Sequence, residues 1–203
     1  MKTIIFDWQD ELKEDELEKT IEVLKNGGII IIPTDTVYGI ACDIENENAI
    51  RKIFKLKERN NNKPICVLTS SVEKIKKIAY INEHENKLIK KYMPGALTII
   101  LKKKDNVSNI LTSNLNTIGV RIPNDKIALK ILDKLDFPLA VTSANISGDE
   151  AGIKIEDFID YFNNKVDIII NGGKTNLKVS STIIKVIDKK INVLREGTIK
   201  IYE

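Results

Sequence analysis

Five stretches of this chain place hydrogen-bonding or cationic side chains where an apolar run ends. Residues 33–39 read PTDTVYG and follow directly on the apolar run IIII at 29–32. Thr34, Asp35, Thr36 and Tyr38 crowd donors and acceptors into what reads as a turn closed by Gly39. Residues 55–64, KLKERNNNKP, carry Lys57, Arg59 and Lys63. In TSANISG at 142–148, Ser143 and Asn145 follow the apolar LAV. Ser180, Ser181 and Thr182 precede a late strand, and LREG at 194–197 supplies Arg195. Arg121 closes TIGVR, a run that begins at Thr117. Arginine offers a planar donor fork to carboxylate or phosphate, and lysine a point charge. Several cations with small hydroxyl and amide groups therefore suit a ligand set holding both a polyphosphate and a carboxylate. No side chain pairs with a base as a nucleophile would need. Chemistry here would rest on positioning and charge neutralisation.

Alternating helices and strands must hold these groups. Leu17, Ile21 and Leu24 share one face of a helix that stops at Gly27-Gly28. A strand follows at 29–32, then a helix from Glu47 to Leu56 marked by Ile50, Ile53 and Phe54. ICVL at 65–68 reads as a strand, and Ser70 or Ser71 caps a helix through Ala79. A helix over 83–92 stops before Pro94-Gly95. Strands at 96–101 and 117–122 follow, and Asn124 or Asp125 opens a helix through Leu135. Strands at 139–143, 166–171, 181–187 and 191–195 complete the pattern, the last two as an antiparallel hairpin around DKK. The class is α/β with one mixed sheet, and strand ends are where such sheets bind ligands.

The chain has 203 residues, 42% hydrophobic and 30% charged, which suits one globular domain over 1–203. Its apolar runs fall far short of a membrane span. The N-terminus turns acidic within a few residues, unlike a secretory signal. Cys42 and Cys66 read as free thiols, so the expected location is cytoplasmic. His84 is the sole histidine, which argues against a zinc site and a histidine-based triad. It sits in the polar stretch NEHENK and reads as a surface residue. The net charge of +3 is not diagnostic. Lysine pairs read as solvated faces, the sharper alternative being a surface for RNA phosphates. GGKT at 172–175 imitates a P-loop, but the glycine required five residues before Gly173 is Ile168. No GxGxxG is present, so a dinucleotide site has no support.

Taken in order, PTDTVYGIACD, IFKLKERNNNKPICVL, MPGALTIIL, IGVRIPND, PLAVTSANISG, INGG, SSTIIKV and VLREG resemble the YrdC-like family, the threonylcarbamoyl-AMP synthases. The likeness runs from about Gly28 to Gly197. It implies a twisted mixed parallel/antiparallel sheet with flanking helices around a large, positively lined cavity. It also implies synthesis of threonylcarbamoyl-AMP from L-threonine, bicarbonate or CO2, and ATP, with magnesium accompanying the ATP. A transferase machinery would then pass the group to an adenosine beside the tRNA anticodon. The K-x-R and S-x-N signature of active members is met by Lys57 with Arg59 and Ser143 with Asn145. By resemblance these four are catalytic. Thr36, Arg121, Ser143 and Ser181 would bind threonine, and Arg59, Lys63, Thr117, Asn145 and Arg195 would bind ATP. Asn60 stands where proline often follows K-x-R, which should loosen that loop. Leu68 stands where longer relatives can place a histidine near threonine, and those relatives carry a further C-terminal domain. The competing readings are a non-catalytic module holding tRNA or other structured RNA, and a relative handling another carbamoylated substrate.

Overall fold

The computed structural model describes residues 2–60 and 62–202. The strands are β1 (Ile4–Asp7), β2 (Ile30–Ile32), β3 (Gly39–Asp43), β4 (Cys66–Leu68), β5 (Ala79–Tyr80), β6 (Leu97–Lys103), β7 (Thr117–Arg121), β8 (Leu139–Ser143), β9 (Ile168–Asn171), β10 (Thr182–Ile187) and β11 (Lys190–Arg195). They form one mixed sheet in the order β1-β9-β2-β3-β8-β4-β7-β6-β10-β11, with β5 beside β6. The helices are α1 (Glu14–Lys25), α2 (Glu47–Leu56), α3 (Val72–Ile78), α4 (Glu83–Tyr92), α5 (Lys126–Lys134) and α6 (Ile159–Phe162). Among the described residues no helix is long and apolar enough to cross a membrane.

The run IIII is continuous because its strand is buried on both faces. Ile30 and Ile32 pack with Leu17 and Leu24 of α1 and with Ile127, Ile131 and Leu132 of α5. Ile29 and Ile31 pack in the other layer, which also takes Ile50 and Ile53 of α2, Ile75 of α3, Leu88 and Ile89 of α4, and Phe162 of α6. Helix starts follow side-chain chemistry. Asn46, Ser71, Asn82 and Asp125 each accept a backbone N–H of the first turn, at residues 49, 74, 85 and 128. Asn82 and Glu85 complete a capping box. α1 ends where Gly27 takes φ +78°, a left-handed conformation open to glycine.

β1, β3, β5 and α6 were not expected from the sequence. β3 is the consequential one. Gly39 does not close a turn but opens a strand antiparallel to β2, Ile31 opposite Ile40. PTDTVY is therefore the connection of a hairpin lying inside the sheet. The 3-10 turn Ile155–Asp157 leads into α6, whose Phe162 stacks edge-on with Phe158 and Tyr161. The β10–β11 hairpin pairs antiparallel as expected, Val186 opposite Ile191. His84 is half-buried in α4 rather than a plain surface residue, because the helix turns that side toward the layer held by Leu88 and Ile89.

Candidate active site

Period-two alternation builds the site. Leu97, Ile99 and Leu101 of β6, Val67 of β4 and Val120 of β7 face the apolar layer. The intervening Thr98, Ile100, Cys66, Leu68 and Arg121 face a cavity of about 330 Å³. Loop residues Thr34 and Thr36, then Ser143, Ser180 and Ser181, close its sides, with Arg59 and Arg195 on its wall. Three guanidiniums line it, and among the described residues no carboxylate does. Such a space favours anions. Their field also reaches the Cys66 thiol: burial, the larger effect, makes it hold its proton more tightly, and the arginines partly oppose this.

The PTDT loop is organised by hydroxyls. Thr34 Oγ1 donates to the Val37 carbonyl at 2.7 Å and accepts from the Thr36 and Val37 N–H groups. Its proton thus spent, Thr36 must be the donor across the 3.0 Å contact between the two hydroxyls. Thr36 in turn accepts from Arg121 Nη1 at 2.8 Å. The Thr36 hydroxyl can therefore meet a ligand only as an acceptor. Tyr38 anchors the loop's far end. Its hydroxyl donates to the Gly173 carbonyl at 2.6 Å and accepts the Gly172 N–H at 3.0 Å. Burial, the larger effect, drives the Tyr38 hydroxyl up to about 12. The Gly172 N–H that a phosphate loop would need is thus occupied, and GGKT is a strand-ending turn.

Arg121 is 5% exposed and tightly held. Nε donates to the Gly95 carbonyl at 2.9 Å, and Nη2 to Asp35, which also accepts the Asn124 N–H at 3.1 Å. Burial lowers the Arg121 proton affinity and Asp35 restores part of it. Three of its five N–H bonds are used, which leaves two for a ligand in the cavity. Arg195 reaches around Ser181, with Nε and Nη2 on its carbonyl at 3.1 and 2.8 Å and Nη2 on its hydroxyl at 3.2 Å. Thr98 completes the cluster, 2.7 Å from the Ser181 hydroxyl.

The K-x-R pair is split by the end of α2. Lys57 caps the helix and Glu58 takes φ +50°. Glu58 N–H bonds the Lys55 carbonyl and Arg59 N–H the Phe54 carbonyl, at 3.1 and 2.9 Å, the Schellman pattern. That turn sends the two cations to different places. Arg59 lines the cavity, with Nε and Nη2 held by the Lys63 and Pro64 carbonyls at 3.0 and 2.9 Å. Burial, and secondarily Arg195, lowers its proton affinity. Lys57 is 1% exposed and does not line the cavity. Its ammonium donates to the Ser143 carbonyl, to the Asn145 carbonyl at 2.6 Å and to Asn145 Oδ1 at 2.9 Å. Ser143 Oγ donates to the same Oδ1, and Asn145 Nδ2 to the Asp149 carbonyl at 2.7 Å. One buried ammonium thereby clasps the whole S-x-N turn.

The structure brings Thr36, Arg59, Arg121, Ser143, Ser181 and Arg195 around one cavity. Lys57 and Asn145 stand behind its wall, joined to it through Ser143. Lys63 is exposed, and Thr117 is half-buried at the start of β7 opposite Lys102; neither lines the cavity. Asn60 accepts the Asn62 and Lys63 N–H groups at 2.9 and 3.0 Å, which gives its loop internal bonds. Thr98 and Cys66 were not anticipated as site residues, whereas Ser180 belonged to the SST cluster singled out in the sequence. Thr98 left a signal, since it is the polar position of ALTIIL whose neighbours face the core.

Residues 22–197 match the Sua5/YciO/YrdC family, described as "Telomere recombination". A putative threonylcarbamoyl-AMP synthase of Methanocaldococcus jannaschii is 43% identical over 195 residues, 94% of this chain and 92% of that protein. The crystal structure of P. abyssi Sua5 complexed with L-threonine superposes with a TM-score of 0.93 at 33% identity. That match covers 96% of this chain and 58% of the longer protein. E. coli YciO superposes at 0.86 with 27% identity, covering 97% and 95% of the two chains.

Proposed function

The chain belongs to the Sua5/YciO/YrdC family, and we propose that it is an L-threonylcarbamoyladenylate synthase. Its substrates are L-threonine, bicarbonate or CO2, and ATP, and its products threonylcarbamoyl-AMP and pyrophosphate. One observation carries this reading: three guanidiniums, from Arg59, Arg121 and Arg195, surround a cavity without a lining carboxylate among the described residues. That arrangement suits a carboxylate and a polyphosphate held side by side. The names of the 43%-identical relative and of the threonine-bound structure support the choice of substrates.

Threonine's carboxylate lies against the two spare N–H bonds of Arg121, with Ser143 and Ser181 beside it. Thr36, restricted to accepting, receives a hydrogen from the substrate's amine or hydroxyl. The amine bonds to the carbon of CO2 and gives up a proton, or to that of bicarbonate with loss of water, and becomes a carbamate. A carbamate oxygen attacks the α-phosphate, and the bond to the β-phosphate breaks, its electron pair leaving with pyrophosphate. Arg59 neutralises the phosphates and Arg195 holds the nucleotide, while Lys63, Thr117 and Asn145, which do not line the cavity, are left without a direct contact in it. Lys57 acts by fixing Ser143 and Asn145. Among the described residues no carboxylate lines the cavity to hold magnesium, so the ion would be carried by ATP itself and would offset the charge of its phosphates. The product then serves a threonylcarbamoyl-transferase machinery, and the location is the cytoplasm. The test is pyrophosphate release from ATP and bicarbonate, with L-threonine, with L-serine and with neither. Release that requires threonine is expected; release indifferent to it sinks the proposal.

A further inference from the structure

Arg59 belongs to two cavities. Besides the substrate cavity it lines a separate cleft of about 550 Å³ between α2 and the segment around 109–114. Arg51 and Lys55 line this cleft four residues apart, one turn of α2, on the stripe that points toward Arg59. Both are exposed, and among the described residues neither forms an ion pair. The acid one turn before Arg51, Glu47, accepts instead from the Ser108 hydroxyl at 2.7 Å. Against three cations the cleft holds one acid, Glu58. On the opposite wall Ser113 and Asn114 both adopt left-handed backbone, φ +52° and +64°. Ser113 lines this wall through its other atoms, its hydroxyl being buried. Three cations against one acid, two of the cations without an ion pair among the described residues, favour an anion with several oxygens.

We infer that this cleft is a polyphosphate subsite, continuous through Arg59 with the substrate cavity. The inference rests on the proposed activity, which releases pyrophosphate beside Arg59. The substrate cavity, about 330 Å³, is at the low end for ligand pockets, roughly 300–1,000 Å³. Threonine and a nucleotide together leave little room in it for a free pyrophosphate. Arg59 can pass the leaving group to Lys55 and Arg51, which form a cationic path to solvent.

The test is calorimetric titration of inorganic pyrophosphate into the full chain and into the R51Q/K55Q variant, with Arg51→Gln alone as a second variant. Both sites are exposed, and thermal melts confirm the fold of each protein. The double variant is expected to bind pyrophosphate about tenfold or more weakly, the scale of about 1.4 kcal/mol, and the single variant to fall between. L-threonine binding should stay within about twofold, for want of contact with the cleft. Weakening of pyrophosphate alone assigns the cleft to the product; equal weakening of ATP assigns it to the nucleotide's terminal phosphates. Unchanged pyrophosphate affinity overturns the inference, and so does loss of single-stranded RNA binding with pyrophosphate binding intact. If pyrophosphate binding weakens as expected but turnover never requires threonine, the proposed activity fails and the anion site stands.

Discussion

Among single residues, charge and reach decide which side chains do chemistry. Arg59 is the cation common to both cavities, and its loss would remove the charge contact proposed for the phosphates of ATP. Arg59→Ala should lower adenylate formation at least ~100-fold, the scale for losing one preorganised charge contact. Near-normal formation, followed by chromatography, would remove Arg59 from the mechanism. Lys57 makes a different prediction. Burial foremost, then Arg59, brings its ammonium down to about 7 from an ordinary 10.5. Below about pH 7 both states hold the proton and the fold bears the cost of a buried charge. Between about 7 and 10.5 the unfolded chain keeps the proton while the folded chain releases it. The unfolded state then binds more protons, so stability rises with pH across that window. Measured by urea unfolding, wild type should gain on Lys57→Met by about 1 kcal/mol or more between about pH 6.5 and 9.5. A constant difference contradicts the burial argument. The residue types were legible in the sequence, since every cation lining the substrate cavity was a candidate. Their directions were not. Nothing in the string KER says that Lys57 turns inward and Arg59 outward, because that depends on a left-handed Glu58.

Elements convert such local turns into placement. The α2 terminus uses a non-glycine residue where glycine is usual, at a cost of about 1 kcal/mol. Glu58→Gly should therefore leave stability unchanged or raise it by up to ~1 kcal/mol in chemical unfolding, and leave Lys57 clasped. A drop beyond ~1 kcal/mol would show that the Glu58 side chain holds something the backbone argument omits. Gly197 carries the opposite expectation. A Cβ there would lie 2.3 Å from the Thr182 nitrogen and 2.4 Å from the Ser181 carbonyl carbon. Gly197→Ala must push this segment off Ser181, the residue that Arg195 wraps. It should raise the KM for threonine about tenfold with a smaller effect on stability; an unchanged KM refutes the coupling. The apolar and amphipathic elements were readable because their periods are strong, and capping chemistry narrowed two helix starts to Ser70 or Ser71 and to Asn124 or Asp125, of which Ser71 and Asp125 cap. β3 was hidden because PTDTVYG looks like a terminating turn, whereas tertiary pairing with β2 and β8 continues the chain as a strand. β1 was hidden for another reason. It is an edge strand with Ile4 and Ile5 half exposed, so no buried face imposes a pattern on its four residues.

Across the whole molecule, the site exists because one stretch of the sheet is left without helices. α1 and α5 cover the face carrying Ile30, Ile32 and Leu139, while Thr98, Cys66 and Arg121 open on the cavity. The connection 33–38 joins two neighbouring strands across the middle of the sheet, which sets Thr36 beside Arg121 although 85 residues separate them. Such long-range pairing is what a sequence conceals. The family likeness pointed to the same residues, but not to Asp35 as the partner that orients Arg121. The chain spans about three fifths of the threonine-bound P. abyssi protein and nearly all of the M. jannaschii relative. We propose that this sheet and its cavity join threonine, bicarbonate and ATP. The direct measurement is incorporation of isotope-labelled bicarbonate by the purified chain, with products separated by chromatography. Label is expected in an adenylate only when L-threonine and ATP are both present, with one pyrophosphate released per adenylate. Label incorporated without threonine, or ATP consumed with no labelled adenylate, would contradict it.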